Sequence, residues 1–229
     1  MNDAQAIYDG LWNEALLRFN TNDCEVDPMI TAGYDRRRGL TVRARPDRDL
    51  IARIGNFTAA LKPFAPDQYF TPASDLHLTV LSIISCHEGF RYADIPGAVY
   101  LRTIRECIRH VPPMEIRFHG ITASPSCLLL RGYPLTDSLD KLRNLLRRAI
   151  AEAALPNTVD GRYPARTAHI TLMRFRQKPA DLAPFVRFLS MNRELDFGTM
   201  TLAGLELVHN DWYHRKECTR IIEPFSLTG

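Results

Sequence analysis

The stretch Ala168-His169-Ile170-Thr171-Leu172-Met173-Arg174 is an apolar run carrying one imidazole and, two residues on, one hydroxyl. It has an earlier counterpart, Leu76-His77-Leu78-Thr79-Val80-Leu81. Side chains of a strand alternate faces, so residues i and i+2 project together. His77 and Thr79 therefore share one face, as do His169 and Thr171, while Leu78, Val80, Ile170 and Leu172 turn to the other side. A three-position match alone carries little information. The duplication carries more, because the other histidines (His87, His110, His119, His209 and His214) have no Ser or Thr two places on.

Working outward, each run is preceded by a strand and a helix. Leu40 to Arg45 alternates, with Leu40, Val42 and Ala44 apolar and Thr41, Arg43 and Arg45 polar, as in a half-buried strand. Pro46-Asp47 opens a helix to about Leu61, and prolines at 63, 66 and 72 make a loop before the first run. A helix over 97–111 ends at Pro112-Pro113. Strands at 114–122 and 127–132, joined by Ala123-Ser124-Pro125-Ser126, read as a hairpin, and a helix over about 137–155 follows. After the second run come a helix at 180–192, a strand at 195–209 broken near Gly204, and a last strand at 219–227. The order is α+β, and strand–helix–His strand occurs twice. That repetition implies two lobes related by a pseudo-twofold, with antiparallel sheets facing a cleft and helices outside. Residues 6–20 place Ile7, Leu11, Leu16, Leu17 and Phe19 at near-helical spacing, so 1–36 reads as a helical extension and 37–229 as one two-lobed domain.

With 229 residues, 45% hydrophobic and 24% charged, the chain can build a sizeable core. A net charge of +3, spread along the chain, suits an anionic ligand but is no footprint of a dedicated nucleic-acid binder. The N-terminus has no basic segment followed by a long apolar one, and no run is long enough for a bilayer, so a cytoplasmic protein is expected. The 5 cysteines are odd in number, lack C-x-x-C spacing and read as reduced thiols.

Two imidazoles and two hydroxyls in one cleft suit phosphoester chemistry. An imidazole titrates near neutral pH, so one ring can be a base while the other is an acid. Hydroxyl donors can hold the non-bridging oxygens as charge develops. No H-E-x-x-H, Cys/His cluster or Gly-rich phosphate loop is present, so neither a metal nor a cofactor is expected. Secondary candidates for substrate contact are Arg43 on its strand's polar face, Tyr163 and Arg166 before the second run, and Tyr69 before the first.

The strings His77-Leu78-Thr79-Val80 and His169-Ile170-Thr171-Leu172 resemble the paired H-x-[ST]-hydrophobic motifs of the 2H phosphoesterase superfamily. That group contains the bacterial 2′-5′ RNA ligase-like proteins and cyclic phosphodiesterases. The resemblance covers about residues 38–229, and Met173-Arg174 extends the second motif to an H-x-T-L-x-R ending. In an unbroken strand, however, Arg174 faces away from His169 and Thr171. The resemblance implies a metal-independent phosphoesterase with His77 and His169 as acid and base, Thr79 and Thr171 on the phosphate, and a nucleotide or RNA end as substrate. Two other readings compete: a non-catalytic nucleotide- or RNA-binding module, and an acid/base sugar isomerase resembling a mutarotase.

Overall fold

The computed structural model describes residues 3–161 and 164–229, so Tyr163 lies outside the described residues. In chain order the elements are α1 (Asp3–Phe19), β1 (Arg38–Ala44), α2 (Arg48–Leu61), β2 (Tyr69–Phe70), β3 (Leu78–His87), α3 (Gly97–Ile108), β4 (Met114–Ser124), β5 (Cys127–Pro134), α4 (Ser138–Glu152), β6 (Ile170–Arg174), α5 (Ala183–Met191), β7 (Asp196–Leu202), β8 (Gly204–Asp211) and β9 (Arg220–Ser226). Asp47 starts α2 by accepting a hydrogen bond from the Leu50 N–H at 2.7 Å, which satisfies an orphan helix donor. Leu50, Ile54, Phe57 and Leu61 then form its buried stripe. In α4 the stripe is Leu139, Leu142, Leu146 and Ile150, with a fully buried Arg143 among them.

The strands form one curled antiparallel sheet in the order β7-β4-β5-β6-β3-β1-β8-β9, with β2 pairing β6 from the side. The middle of that order is a pseudo-twofold. Around it β6 corresponds to β3 and β5 to β1, and the units β1-α2-β3 and β5-α4-β6 are the two repeated halves. The halves meet at one antiparallel pair, Leu78 against Ile170. Leu78, Val80, Ile170 and Leu172 are completely buried under the helices, as the alternation of the two runs requires. The opposite face of the sheet lines the cleft.

Each motif strand carries a bulge directly after its Thr. Arg43 pairs Thr79 while Val42 pairs Leu81, so Val80 is the extra residue in β3. Leu129 pairs Thr171 while Leu128 pairs Met173, so Leu172 is the extra residue in β6. A bulge resets which residues share a face. Positions five after each His, Ser82 and Arg174, therefore rejoin the cleft face, and both line the cleft. The simple period-2 reading had turned Arg174 away.

Two other expectations need correction. The polar face of β1 is buried as well as the apolar one, with Thr41 and Arg43 both inside, because the sheet curls over it. The buried face of α1 is Ala4, Tyr8, Trp12, Ala15 and Phe19, and Leu17 is 73% exposed. Aromatic side chains on a neighbouring stripe won over the aliphatic one. All five cysteines are free.

Gly132 in β5 marks where the chain entering β6 crosses closest. A Cβ there would stand 1.9 Å from the Ala168 carbonyl oxygen and 2.9 Å from the Phe118 ring. We expect Gly132→Ala to lower stability by about 1–3 kcal/mol, as overpacking does, read as a lower urea midpoint at unchanged slope.

Candidate active site

Both histidines stand one residue before their strands, where the sheet opens. The pairing of Leu78 with Ile170 sets His77 across from Thr171 and Thr79 across from His169. All four line one cleft of about 160 Å³. The result is a diagonal pair of imidazoles with a hydroxyl beside and a hydroxyl opposite each, generated by the pseudo-twofold.

Each ring is tied at Nδ1. His77 Nδ1 donates to the Asp75 carbonyl oxygen at 2.7 Å. That contact fixes its tautomer, because a carbonyl can only accept, and leaves Nε2 for the cleft. His169 Nδ1 lies 2.8 Å from the Thr167 hydroxyl. Burial pushes the His77 imidazole down to about 3; the Asp75 carbonyl opposes the shift, and Arg43, Arg45 and His169 add to it. Burial likewise lowers His169 to about 4, with Arg143 and Arg174 adding positive charge. The free site therefore holds both rings neutral at pH 7.

A buried arginine holds the two motifs in register. Arg143, from α4, donates through Nε to the Val80 carbonyl at 2.9 Å, and through Nη2 to the carbonyls of Thr79 at 3.3 Å and Thr167 at 2.7 Å. The strands share only one pair at this point, so the guanidinium supplies the donors that further ladder pairing would have supplied. It thereby links the first motif to the approach of the second.

His214, in the β8–β9 connection, brings a third imidazole to the cleft. Its ring stacks on His77 with centroids 3.9 Å apart. Its backbone is left-handed, with φ of 57°, a conformation uncommon outside glycine and concentrated at functional sites. Arg43 and Asn210 approach its two ring nitrogens at 3.4 and 3.0 Å. Burial lowers its pKa well below 6.5, and His77 and Arg43 reinforce the shift. Beside it Trp212 and Tyr213 extend the wall toward Tyr69, whose ring lies 6.3 Å from that of Tyr213. Arg174 sits over the Tyr213 ring at 5.8 Å.

The secondary candidates divide. Tyr69 lines the cleft, and burial raises its hydroxyl to about 12. Arg43 is not among the lining residues; its Nε pairs with Glu206 at 2.9 Å, behind His214. Arg166 is not among them either and reaches instead toward Asp3 of α1 at 4.0 Å. An exposed loop arginine has an acidic helix terminus nearer than the cleft. His214, Trp212 and Tyr213 had no motif to single them out. A sequence cue existed only in their clustering, Trp212-Tyr213-His214, between two strands at a turn.

The fold and its site define a class: two-lobed proteins with one H-x-T strand from each lobe in a common cleft. The chain matches the 2′-5′ RNA ligase superfamily over residues 46–212 and belongs to it, within the 2H phosphoesterase group. Among solved structures it is similar to TT0787 of Thermus thermophilus, at 20% identity and a TM-score of 0.60, covering 83% of this chain and 98% of that one. It is similar to a phosphoesterase at 18% identity and a TM-score of 0.57, covering 84% and 99%. E. coli LigT complexed with 3′-AMP matches at 16% identity and a TM-score of 0.57, covering 84% and 99%. No curated protein matches in sequence. No helix among the described residues is long and apolar enough to cross a membrane.

Arg143→Met removes donors from three buried carbonyls. We expect a loss of at least about 2 kcal/mol in urea unfolding, together with loss of whatever activity the cleft supports. The histidines set a pH dependence of stability. Their folded values, about 3 and about 4, lie below the ordinary 6.5, so between these limits the unfolded chain binds more protons. Stability is therefore full above about pH 6.5 and falls as pH drops toward about 4. Urea midpoints from about pH 7 to about pH 4.5 should decline, and the decline should be shallower in His77→Gln/His169→Gln.

Proposed function

We propose that this protein is a metal-independent phosphodiesterase acting on a cyclic nucleotide phosphate, such as a 2′,3′-cyclic phosphate, or on a 2′-5′ phosphodiester. The observation that carries the reading is the diagonal itself: two imidazoles held at Nδ1, each with a Thr hydroxyl across from it, in one cleft. In hydrolysis one imidazole takes a proton from water as its oxygen bonds to phosphorus. The bond from phosphorus to the leaving oxygen breaks, and the other imidazole, as imidazolium, protonates that oxygen. Thr79 and Thr171 donate to the non-bridging oxygens, and Arg174 adds a charge that a phosphate can share with the Tyr213 ring. The wall of Tyr69, Trp212 and Tyr213 suits stacking of a nucleobase. Nucleotide binding by a relative supports the substrate class, since LigT has been solved with 3′-AMP and with ATP.

Both rings are neutral in the free site, yet the reaction needs one of them protonated. A phosphate anion between them favours the imidazolium, so substrate binding itself raises the pKa of the ring that serves as acid. The pH profile of kcat should accordingly lie above that of kcat/KM, which reports the free protein.

The test is turnover of 2′,3′-cyclic nucleotides, 2′-5′ dinucleotides and cyclic dinucleotides with EDTA present. We expect EDTA-resistant cleavage, inhibition by inorganic phosphate, and a fall of about 10²- to 10⁴-fold in His77→Ala and in His169→Ala. No cleavage of any substrate, with nucleotides bound equally by wild type and the double variant, would leave a binding module. Sugar anomerisation insensitive to phosphate would leave an isomerase.

A further inference from the structure

The connection between β8 and β9 passes along the cleft and brings Trp212, Tyr213 and His214 into its lining. A small set of bonds fixes its path. The fully buried Asp211 carboxylate accepts from the Arg215 N–H at 2.8 Å and from Arg215 Nε at 2.6 Å. The His214 N–H donates to the Asp211 carbonyl at 3.3 Å. The Lys216 N–H donates to Asp75 Oδ1 at 3.1 Å. Asp75 is itself buried, and its carbonyl is the acceptor that holds His77 Nδ1 at 2.7 Å. One residue thus anchors both the first motif and the turn that carries His214. Between these anchors His214 takes its left-handed backbone, with φ of 57°, and lays its ring on His77 with the two planes 27° from parallel.

We propose that His214 is a positioning residue for His77, acting through the face of its ring and not through its nitrogens. The Asp75 carbonyl is the one hydrogen-bond partner of the His77 ring among the described residues. A single bond leaves an imidazole free to swing about it. A flat neighbour at stacking distance, 3.9 Å between centroids, removes that freedom and keeps Nε2 toward the cleft. The nitrogens of His214 are excluded from proton transfer by what surrounds them. Asn210 Nδ2 donates to the Asp211 carbonyl at 2.9 Å, which fixes the amide, since a carbonyl can only accept. The same Nδ2 stands 3.0 Å from His214 Nε2, so Nε2 is an acceptor. The single proton of the ring is then at Nδ1, on the side of Arg43 Nη1 at 3.4 Å. A guanidinium can only donate, so a second proton would leave both N–H groups of His214 against donors. The ring therefore stays neutral and adds bulk beside His77 without charge. The same face shields His77 from water, and burial is the first cause of its lowered pKa. The other groups around His77 are Asp75, Arg43 and Arg45 from β1, and His169 before β6, while Arg174 from β6 acts on His214. All of them remain when the His214 ring is removed.

The inference rests on His77 being a proton-transfer group, and its test reads that ring directly so that the two can fail separately. In full-length protein with ¹⁵N-labelled histidine, His77→Gln identifies the His77 resonances. Asparagine tolerates a left-handed backbone, so His214→Asn removes the ring without straining the turn. In wild type His77 should hold its proton at Nδ1 and stay neutral from about pH 7 down to about pH 5. In His214→Asn it should bind a second proton within that window, because a ring opened to water moves back toward its ordinary value. With a cleaved substrate from the panel above, kcat of His214→Asn should fall about tenfold to a hundredfold, as loss of an orienting partner does, with KM within about twofold. His214→Phe, which keeps a flat face without the nitrogens, should recover most of that loss. A His77 that titrates alike in wild type and His214→Asn overturns the proposal whether or not any substrate is turned over. A kcat as low in His214→Phe as in His214→Asn also overturns it, because the nitrogens would then carry the effect. If His214→Asn does not fold, the same titration is read in His214→Gln.

Discussion

The two halves of the sheet touch through one antiparallel pair, Leu78 against Ile170, and the geometry of the cleft depends on that contact. Were the strands paired along their length, His77 and His169 would be locked into a continuous ladder with neighbours crowding the cleft face. Because they part at once, the histidines stand at the mouth of the opening. The carbonyls left without ladder partners would be costly to bury. Arg143 answers that cost with donors to three of them, at the expense of placing a guanidinium inside the apolar stripe of α4. A cation in that place also bears on His169, whose protonation it opposes. One side chain thus links the packing of the core to the charge state of the site.

The bulges after Thr79 and Thr171 are the second device. Each inserts one residue, so that position five after the His rejoins the cleft face. Because the halves are related by a pseudo-twofold, the same insertion delivers Ser82 from one lobe and Arg174 from the other. The backbone is nearly symmetric and the chemistry is not. One wall has a cation stacked on Tyr213; the wall related to it has only a small hydroxyl. An asymmetric substrate, with a phosphate at one end and a base at the other, suits that division. His214 adds to the asymmetry, since its stacked imidazole has no counterpart beside His169 among the described aromatic contacts.

The N-terminal segment follows the same economy. Tyr8 fills the gap where β5 loses β6, and further along Asp27 accepts from the Tyr213 hydroxyl at 2.9 Å while Arg37 lies over the Trp212 ring at 5.0 Å. The Trp212 and Tyr213 wall of the cleft is therefore braced by residues that precede the region matched to the superfamily. Most of a helix's stability in a folded protein comes from packing rather than propensity, and α1 packs against β4.

The sequence by itself determined the pair of His strands, the α+β order, the repeated strand–helix–strand halves and the four residues facing one another. Each of these rests on local periodicity or on spacing that a strand imposes. Tertiary structure alone decided the rest. Arg174 faces the cleft because a bulge, a property of two paired strands, breaks the alternation. Arg43 turned from the cleft to Glu206 because an acidic partner 163 residues away lies beside it in the sheet. His214 joined His77 because two distant segments fold together, and Tyr8 met Gly132 because a strand edge needed a partner. Periodicity reports which face a side chain takes within its own element. Which groups meet across elements depends on pairing register, on bulges and on the satisfaction of buried polar atoms, and these are settled only when the chain is packed.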